Sequence, residues 1–440
     1  MTSSTLTRSE NPFGSLDDWE GENLTSFKFL HAADLHLDSP LLGLASKSPG
    51  FARRVDDASR EALDNLVALA KDEGCRFVLL AGDVFDGELR DMRAGLFFVS
   101  RMRKLEEAGI DVFMVLGNHD AENRFIKKLS FSDNVYRFST KRAETKTIEG
   151  LDVSIHGHSF SQRDVQDNIA KAYPPPTAGH FNIGVLHTAC QGKEGYHASY
   201  APCTVQQLVN HGYDYWALGH VHAQEVLNSS PYVVYPGNLQ GRNPRETGAK
   251  GAMLVEVQDG RVSAIEHKAL DAVRWVGLNL DVTEARDINT VLVDIRRAAD
   301  GALVDAGGRP LAVRLILTGS TPLDADLRLR HHEIREEIAT LFSGISDEIW
   351  LERFHLGTRP QEKPEGLDAS IAGQIEGYIR SLTPDELTRR LEKRLEEVSA
   401  KYPSAARMEE LFERLRHGSQ SHAVELAASL LSDTGDHDAI

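Results

Sequence analysis

The sequence predicts a layered α/β sandwich, followed by a small β-α-β module and a helical C-terminal region. Short apolar runs alternate with amphipathic stretches between residues 25 and 270. This pattern changes at Val273, and a polar segment containing Pro and Gly precedes the C-terminal region. With 440 residues, the chain exceeds the size of one ordinary core, so two or three domains are expected.

The sandwich is predicted from apolar runs that are typical of buried strands. These runs are Phe27 to Ala33, Phe77 to Ala81, Val112 to Leu116, Ile183 to Leu186 and Tyr215 to Leu218. Helices are predicted over Ala52 to Asp72 and around Met92 to Ala108, where apolar residues recur with helical spacing. Gly251 to His267 contains Asp259-Gly260, which predicts a hairpin that closes the domain.

Changes of composition predict the domain boundaries. Residues 1–24 are polar and lack the apolar segment of a signal peptide, so a disordered tail is expected. The sandwich is assigned to 25–270, the small module to 271–356, a linker to 357–380 and a helical arm to 381–440. A helix start is predicted at Thr383. The helices of the arm either pack on their own domain or form a docking arm for a partner.

Composition and charge exclude several function classes. The chain is 41% hydrophobic and 26% charged, as in a globular protein. No run approaches the ~18 apolar residues of a membrane span, so no membrane partner is expected. The net charge of −17 argues against a nonspecific DNA coat, although it leaves a local DNA-processing site open. Cysteines 75, 190 and 203 form no CxxC motif, which suits a reducing cytoplasm.

Segments rich in Asp, Asn and His follow the predicted strands. They are Asp34-Leu35-His36, Gly82 to Asp86, Gly117 to Asp120, His187, and Gly219 to His222. Because the carboxyl ends of strands in an open α/β sheet converge on one edge, these side chains are predicted to meet. A single histidine is more often a core or surface residue. A buried cluster of His and Asp, however, would be costly without a metal.

The segments supply a mixed set of oxygen and nitrogen ligands. The candidate metal ligands are Asp34, His36, Asp83, Asn118, His187, His220 and His222. Asp83 is the carboxylate expected to bridge two ions. Such sets suit Mn, Fe or Zn better than Ca or Mg. Two carboxylates leave two divalent ions with excess positive charge, which would bind a phosphodiester and, more tightly, its transition state. The pattern indicates a dinuclear metal phosphoesterase.

Other polar residues are candidates for supporting roles. His119, beside Asn118, is interpreted as an acid outside the metal shell that protonates the leaving oxygen. Asp120 is expected to orient it. Asp86 either supports the ligands or shapes substrate access. Arg242 and Arg245 lie in a loop with flanking glycines, which is either simply solvated or in contact with the phosphate backbone.

These segments resemble the signature of the calcineurin-like metallophosphoesterases. The strings from His31 to Pro40 and from Tyr235 to Glu246 are most similar to SbcD-type DNA repair exonucleases, in the YhaO branch. The resemblance is specific over residues 27 to about 258. It implies a four-layer α/β-β/α sandwich with a small α+β capping domain over 271–356 and C-terminal helices.

The resemblance also implies cofactors, roles and partners. One Mn²⁺ ion would be held by Asp34, His36, Asp83 and His222. A second would be held by Asp83, Asn118, His187 and His220. His119 would be catalytic, DNA the substrate, and the arm at 381–440 the contact with an SbcC-like, SMC-type ATPase. Archaeal and eukaryotic relatives carry a histidine where this chain has Asp86, whereas SbcD-type chains also carry Asp. A homodimer remains open.

The interpretation from sequence is a metal-dependent DNA exonuclease of DNA repair, with endonuclease activity. Two alternatives remain. The first is a dinuclear phosphodiesterase for small nucleotides, against which the extra module and helices argue. The second is an inactive scaffold of a repair complex, against which the intact ligand set argues.

Overall fold

A computed structural model describes residues 26–39, 49–86, 92–123, 129–148, 150–190 and 200–361 of the 440-residue chain. The described chain divides into two compact units. The first comprises the described residues up to Trp275 together with Arg309–Leu311, and the second comprises Val276–Gly308 and the described residues from Ala312 to Gln361. The tail predicted at 1–24 and the arm predicted at 381–440 lie outside the described residues.

Two six-stranded sheets form the first unit. Numbered along the chain, the strands of the first sheet are β1 (Phe27–Ala32), β2 (Phe77–Ala81), β3 (Asp111–Val115), β4 (Val135–Arg137), β11 (Gly251–Gln258) and β12 (Arg261–Ala269), in the spatial order β12-β11-β1-β2-β3-β4. Those of the second are β5 (Glu144–Thr147), β6 (Val153–Gly157), β7 (Phe181–His187), β8 (Tyr215–Gly219), β9 (Glu225–Ser229) and β10 (Tyr232–Tyr235), in the order β5-β6-β7-β8-β10-β9. The central strands β1, β2 and β3 run parallel, as do β6, β7 and β8.

Helices cover the outer faces of the two sheets. They are α1 (Pro49–Asp72), α2 (Met92–Glu106), α4 (Val205–Val209) and a 3-10 helix at Ile169–Ala172. The short helix α3 (Asn118–Glu122) follows β3. Because side chains alternate along a strand, β1 sends Leu30 into a core shared with α1 and α2 and sends Phe29 into the core between the sheets. On the far side, Trp216 of β8 packs in a third core with Leu208 of α4. The arrangement is the predicted helix–sheet–sheet–helix sandwich.

The five predicted strands are present, with ends that differ from the expectation by at most a few residues. The predicted hairpin is also present. Asp259 and Gly260 connect β11 to β12 with φ values of 55° and 67°, the left-handed backbone of a two-residue turn. No described helix is long and apolar enough to cross a bilayer.

The second unit contains a three-stranded sheet with helices. Its elements are β13 (Arg274–Asp281), α5 (Ile288–Asp305), β14 (Leu311–Thr321), α6 (Asp324–Leu329), α7 (His331–Ile345) and β15 (Ile349–Pro360), and the strand order is β13-β14-β15. The β-α-β part was predicted, whereas α6, α7 and β15 were not. The linker expected from residue 357 does not begin there, because β15 continues to Pro360. An edge strand tolerates Gly357 and a terminal proline, since only one side must pair.

Candidate metal centre

The segments that follow β1 and β2 are held side by side. Asp34 N donates to Gly82 O and His36 N donates to Asp83 O, both at 3.0 Å. A further bridge joins Leu37 to Phe85. The two strands therefore continue their parallel pairing past their regular ends, and this pairing brings the Asp34-His36 pair next to Asp83.

Four of the predicted ligands have left-handed backbones. The φ values are 53° for Asp34, 43° for His36, 51° for Asp83 and 100° for His220. Such conformations cost roughly 1–3 kcal/mol each in non-glycine residues and concentrate at functional sites. Their coincidence on predicted ligands indicates that the fold accepts local strain in order to orient these side chains.

Two glycines allow the chain segments to approach each other at the site. A Cβ on Gly117 would lie 2.2 Å from Asp83 Oδ1, and one on Gly219 would lie 2.0 Å from Ala81 O. Both distances are far below van der Waals contact. Any larger residue would therefore push the loop after β3, or the end of β8, away from the second strand.

One group of ligand atoms contains Asp34, His36 and His222. His36 Nε2 lies 3.2 Å from His222 Nε2, and the latter lies 4.0 Å from Asp34 Oδ1. Asp34 is fully buried, and both of its oxygens accept from His220 N. Burial raises the pKa of Asp34 to about 6. Because burial disfavours the ionised form of this carboxylate, a bound cation would stabilise that form.

A second group contains Asp34, Asp83 and His187. Asp83 Oδ2 lies 3.5 Å from His187 Nε2 and 3.9 Å from His36 Nε2. It therefore stands between ligands of both predicted ions, as a bridging carboxylate must. Asn118 Oδ1 lies 2.9 Å from His187 Nε2. The buried ring of His220 lies beside that of His187, with centroids 5.2 Å apart.

The position of the hydrogen on the His187 ring shows whether a cation fits between these side chains. Its Nδ1 lies 2.9 Å from Ala81 O. Because a carbonyl can only accept, Nδ1 carries the hydrogen, and in the neutral ring Nε2 carries a lone pair. That lone pair faces the acceptor oxygens of Asn118 and Asp83. These three atoms all carry lone pairs, and no hydrogen-bond donor of the described residues lies between them. Such an arrangement fits a bound cation, so this set of ligand atoms is suited to a metal.

His119 lies beside the ligands, and a carboxylate contacts it. Its ring is 5.0 Å from that of His36, and its Nδ1 is 3.1 Å from Asp86 Oδ1. The hydrogen bond with Asp86 raises the pKa of His119 and outweighs the opposite effect of burial. Asp86 is therefore the residue that orients His119.

Asp120 does not have the role predicted for it. Its Oδ2 accepts from Val84 N and Gly117 N, each at 3.1 Å, and its Oδ1 accepts from Phe85 N at 3.0 Å. The expectation that it orients His119 was wrong, because its oxygens are directed at backbone N–H groups of two loops. Asp120 instead ties the loop after β2 to the loop after β3. Burial raises its pKa to about 7.

Asp86 also binds Arg242, one of the two arginines predicted to contact the substrate. Its Oδ2 accepts from Arg242 Nη2 at 2.7 Å and from Ser39 Oγ at 2.8 Å. Burial disfavours its ionisation, but the bonds to His119 and His36 and the Arg242 charge hold the pKa of Asp86 well below its usual range. Arg242 is thus brought to the site through Asp86. Arg245 lies solvent-exposed on the same loop.

Sequence reasoning missed a carboxylate that holds a predicted ligand. Glu246 Oε1 lies 2.9 Å from His222 Nδ1. Burial disfavours its charge, but His222, the backbone N–H of Arg242 and the side chain of Asn238 lower the pKa of Glu246 to about 2. The only signal in the sequence was an acidic residue at the end of the loop that carries both arginines. Its contact crosses from one strand end to another, so no local spacing predicts it.

The chain is similar to known proteins over most of its length. Residues 27–224 match the model of the calcineurin-like phosphoesterases, and residues 275–359 match that of the middle domain of the metallophosphoesterase YhaO. The chain is 35% identical to YhaO of Bacillus subtilis over 371 residues, which cover 83% of this chain and 90% of that protein.

More distant similarity extends to DNA double-strand break repair proteins named Mre11. The Mre11 of Methanopyrus kandleri is 25% identical over 347 residues, covering 70% of this chain and 72% of that protein. The Mre11 of Thermoplasma acidophilum is 22% identical over 263 residues, covering 56% and 66% respectively. Together with the extended match to YhaO, this shows that the chain belongs to the YhaO family of calcineurin-like metallophosphoesterases.

Proposed function

We propose that this protein is a metal-dependent DNA phosphodiesterase, an exonuclease of DNA repair that also has endonuclease activity. The observation that carries the proposal is the position of His119. It lies against the ligand His36 and is held by Asp86. The similarity to proteins named for the repair of DNA double-strand breaks supports DNA as the substrate.

The predicted ligands would hold two divalent ions, for which Mn²⁺ is the candidate. One ion would be held by His36, His222 and Asp34, and the other by Asn118, His187 and His220. Asp83 would contribute to both sites. When bound, such ions neutralise phosphoryl oxygens and activate a water for in-line attack. The ligand atoms support this assignment, since the Nε2 lone pair of His187 faces the hydrogen-bond acceptors of Asn118 and Asp83.

His119 would act as the general acid. Its Nδ1 donates to Asp86, which leaves Nε2 as the atom that can pass a proton to the leaving oxygen. The side chain is 27% exposed, so a phosphodiester can reach it from solvent. The neighbouring carboxylate favours the imidazolium form that an acid requires.

The loop arginines would bind the DNA backbone. Arg242 forms an ion pair with Asp86, which balances the charge of that carboxylate close to the reacting group. Arg245 is exposed on the same loop. These two residues would place positive charge next to the bound phosphate. Such local charge matters because the chain as a whole has a net charge of −17.

We also propose an SbcC-like, SMC-type ATPase as partner, bound through the arm at 381–440. The proposal rests on the resemblance to SbcD-type chains and on the amphipathic pattern of that segment. A homodimer is compatible with it. Cys75, Cys190 and Cys203 are buried, and they form no disulfide among the described residues. Reduced cysteines support a reducing cytoplasm as the setting.

Purified protein loaded with Mn²⁺ tests the function. Labelled linear double-stranded, single-stranded and hairpin DNA should be cleaved, and bis-p-nitrophenyl phosphate should be hydrolysed. Hydrolysis of the small ester without DNA cleavage would favour a nucleotide phosphodiesterase. No hydrolysis of either substrate, with both metals bound, would favour the scaffold.

A further inference from the structure

Glu246 accepts hydrogen bonds from four N–H groups. Oε1 accepts from His222 Nδ1 and Asn243 Nδ2, each at 2.9 Å. Oε2 accepts from Asn238 Nδ2 and from Arg242 N, each at 2.7 Å. One carboxylate thus organises the loop between Asn238 and Glu246 and also contacts a candidate metal ligand from the neighbouring loop.

The contact with His222 fixes the state of its imidazole. An ionised carboxylate can only accept, so Nδ1 carries a hydrogen, and in the neutral ring Nε2 is left as the ligand atom. That atom points to His36 Nε2 and Asp34 Oδ1. The backbone of His222 is held separately, because Lys250 Nζ donates to its carbonyl at 2.9 Å. Glu246 therefore selects the tautomer and the ring orientation, and Lys250 holds the main chain.

The contact with Arg242 leads to the other side of the site. The backbone N–H of Arg242 donates to Glu246. Its guanidinium Nη2 donates to Ser39 Oγ at 2.9 Å and to Asp86 Oδ2 at 2.7 Å. The other oxygen of Asp86 lies 3.1 Å from His119 Nδ1. An unbroken series of hydrogen bonds and ion pairs thus joins His222 to His119 through Glu246.

We propose that Glu246 is a positioning residue for both parts of the centre: it holds His222 for metal binding, and it anchors the turn that carries Arg242 to Asp86 beside His119. The part that concerns His119 rests on the proposed function. The part that concerns His222 requires only that the cluster binds divalent cations. The two parts can therefore fail separately.

The first experiment measures metal binding. Metal-free wild type and Glu246→Gln are titrated with Mn²⁺ by calorimetry. The amide keeps the size of the side chain but cannot accept all four hydrogen bonds. One of two Mn²⁺ ions per chain should bind about 10- to 100-fold more weakly, the usual effect of removing a partner of a metal-bound histidine. Unchanged binding of both ions would overturn the proposal.

Matched variants control the experiment. Glu266→Gln changes an exposed carboxylate that pairs with Lys268 on β12, and it should bind Mn²⁺ as wild type does. If Glu246→Gln does not fold, as judged by circular dichroism, Glu246→Asp replaces it. The shorter carboxylate should give an intermediate affinity, and wild-type affinity would contradict the assignment.

A double-mutant cycle separates positioning from a general loosening of the loop. Glu246→Gln is combined with His222→Gln, which removes the ligand itself. If Glu246 acts only through His222, Glu246→Gln should cost no further Mn²⁺ affinity in a chain that already carries His222→Gln. Additive losses would refute the proposed route.

The part concerning His119 is tested with bis-p-nitrophenyl phosphate at saturating Mn²⁺. Glu246→Gln and Arg242→Met should both lower kcat, whereas only Glu246→Gln should weaken Mn²⁺ binding. Wild-type kcat for Glu246→Gln would remove the link to His119. A wild-type protein that binds Mn²⁺ but does not hydrolyse the ester would overturn the proposed function and leave the metal result standing.

Discussion

His119 Nδ1 lies 3.1 Å from Asp86 Oδ1, although Asp120 is the carboxylate next to His119 in sequence. The pairing exists because Asp86 follows β2 while His119 follows β3, and the ends of these adjacent parallel strands lie side by side. Asp86 also holds Arg242. Its neighbours are therefore the candidate acid and a candidate phosphate-binding residue.

Asp86→Asn should lower kcat with little loss of structure. The amide cannot supply the charge that favours protonated His119 or that binds Arg242. We expect a decrease of about 10- to 100-fold, as for other partners of catalytic and ligand histidines. Steady-state hydrolysis of bis-p-nitrophenyl phosphate with Mn²⁺ measures it. The exposed Asp133→Asn is the control, and wild-type turnover in Asp86→Asn would contradict the role given to Asp86.

His119→Gln should separate turnover from metal content. Loss of a general acid costs about 10²- to 10⁴-fold in rate, while the proposed ligands remain in place. The experiment pairs kcat with metal analysis of the purified protein, and two ions per chain are expected in both proteins. Depleted metal in the variant would mean that His119 is itself a ligand.

Asp83→Asn should abolish both metal binding and cleavage. Its Oδ2 faces His187 and His36, and its Oδ1 accepts from His119 N at 2.9 Å. If this buried carboxylate bridges two cations as proposed, replacing it with an amide removes negative charge that both ions would share. Mn²⁺-dependent cleavage of linear DNA is the assay. Retained activity would refute the bridging assignment.

The proximity of the candidate ligands could be predicted because it follows from a general property of the fold. Strands such as β2 are continuous apolar runs, and polar residues directly after them must appear at the carboxyl edge of the sheet. This reasoning predicted that Asp83 and His187 lie close together, without knowledge of the strand order. The left-handed backbones of Asp34 and His220 could not be predicted, since they depend on how the loops meet.

The supporting contacts could not be read from the sequence. Asp86 and Arg242 are 156 residues apart, and no periodicity links them. Asp120 was assigned to its sequence neighbour because proximity along the chain was the only information available. In the second unit, Gly357 and Pro360 have the composition of a linker, yet an edge strand accommodates both.

Removal of the C-terminal region should separate catalysis from assembly. A chain that ends at residue 380 retains every candidate site residue, so it should hydrolyse bis-p-nitrophenyl phosphate like the full chain. It should no longer co-purify with a co-expressed SMC-type ATPase, because the amphipathic helices predicted from Thr383 are absent. Co-purification of the shortened chain would count against the arm as the docking element.

Asp120→Asn should affect stability more than chemistry. The carboxylate is 1% exposed and accepts three backbone N–H groups, from Val84, Phe85 and Gly117. An amide presents an NH₂ group to at least one of these donors, and an unsatisfied buried donor costs about 1–3 kcal/mol. Urea unfolding of the metal-free protein should show a loss of that size. If Asp120 instead oriented His119, the variant would unfold like wild type and lose kcat, so the two measurements together decide between a structural tie and a catalytic partner.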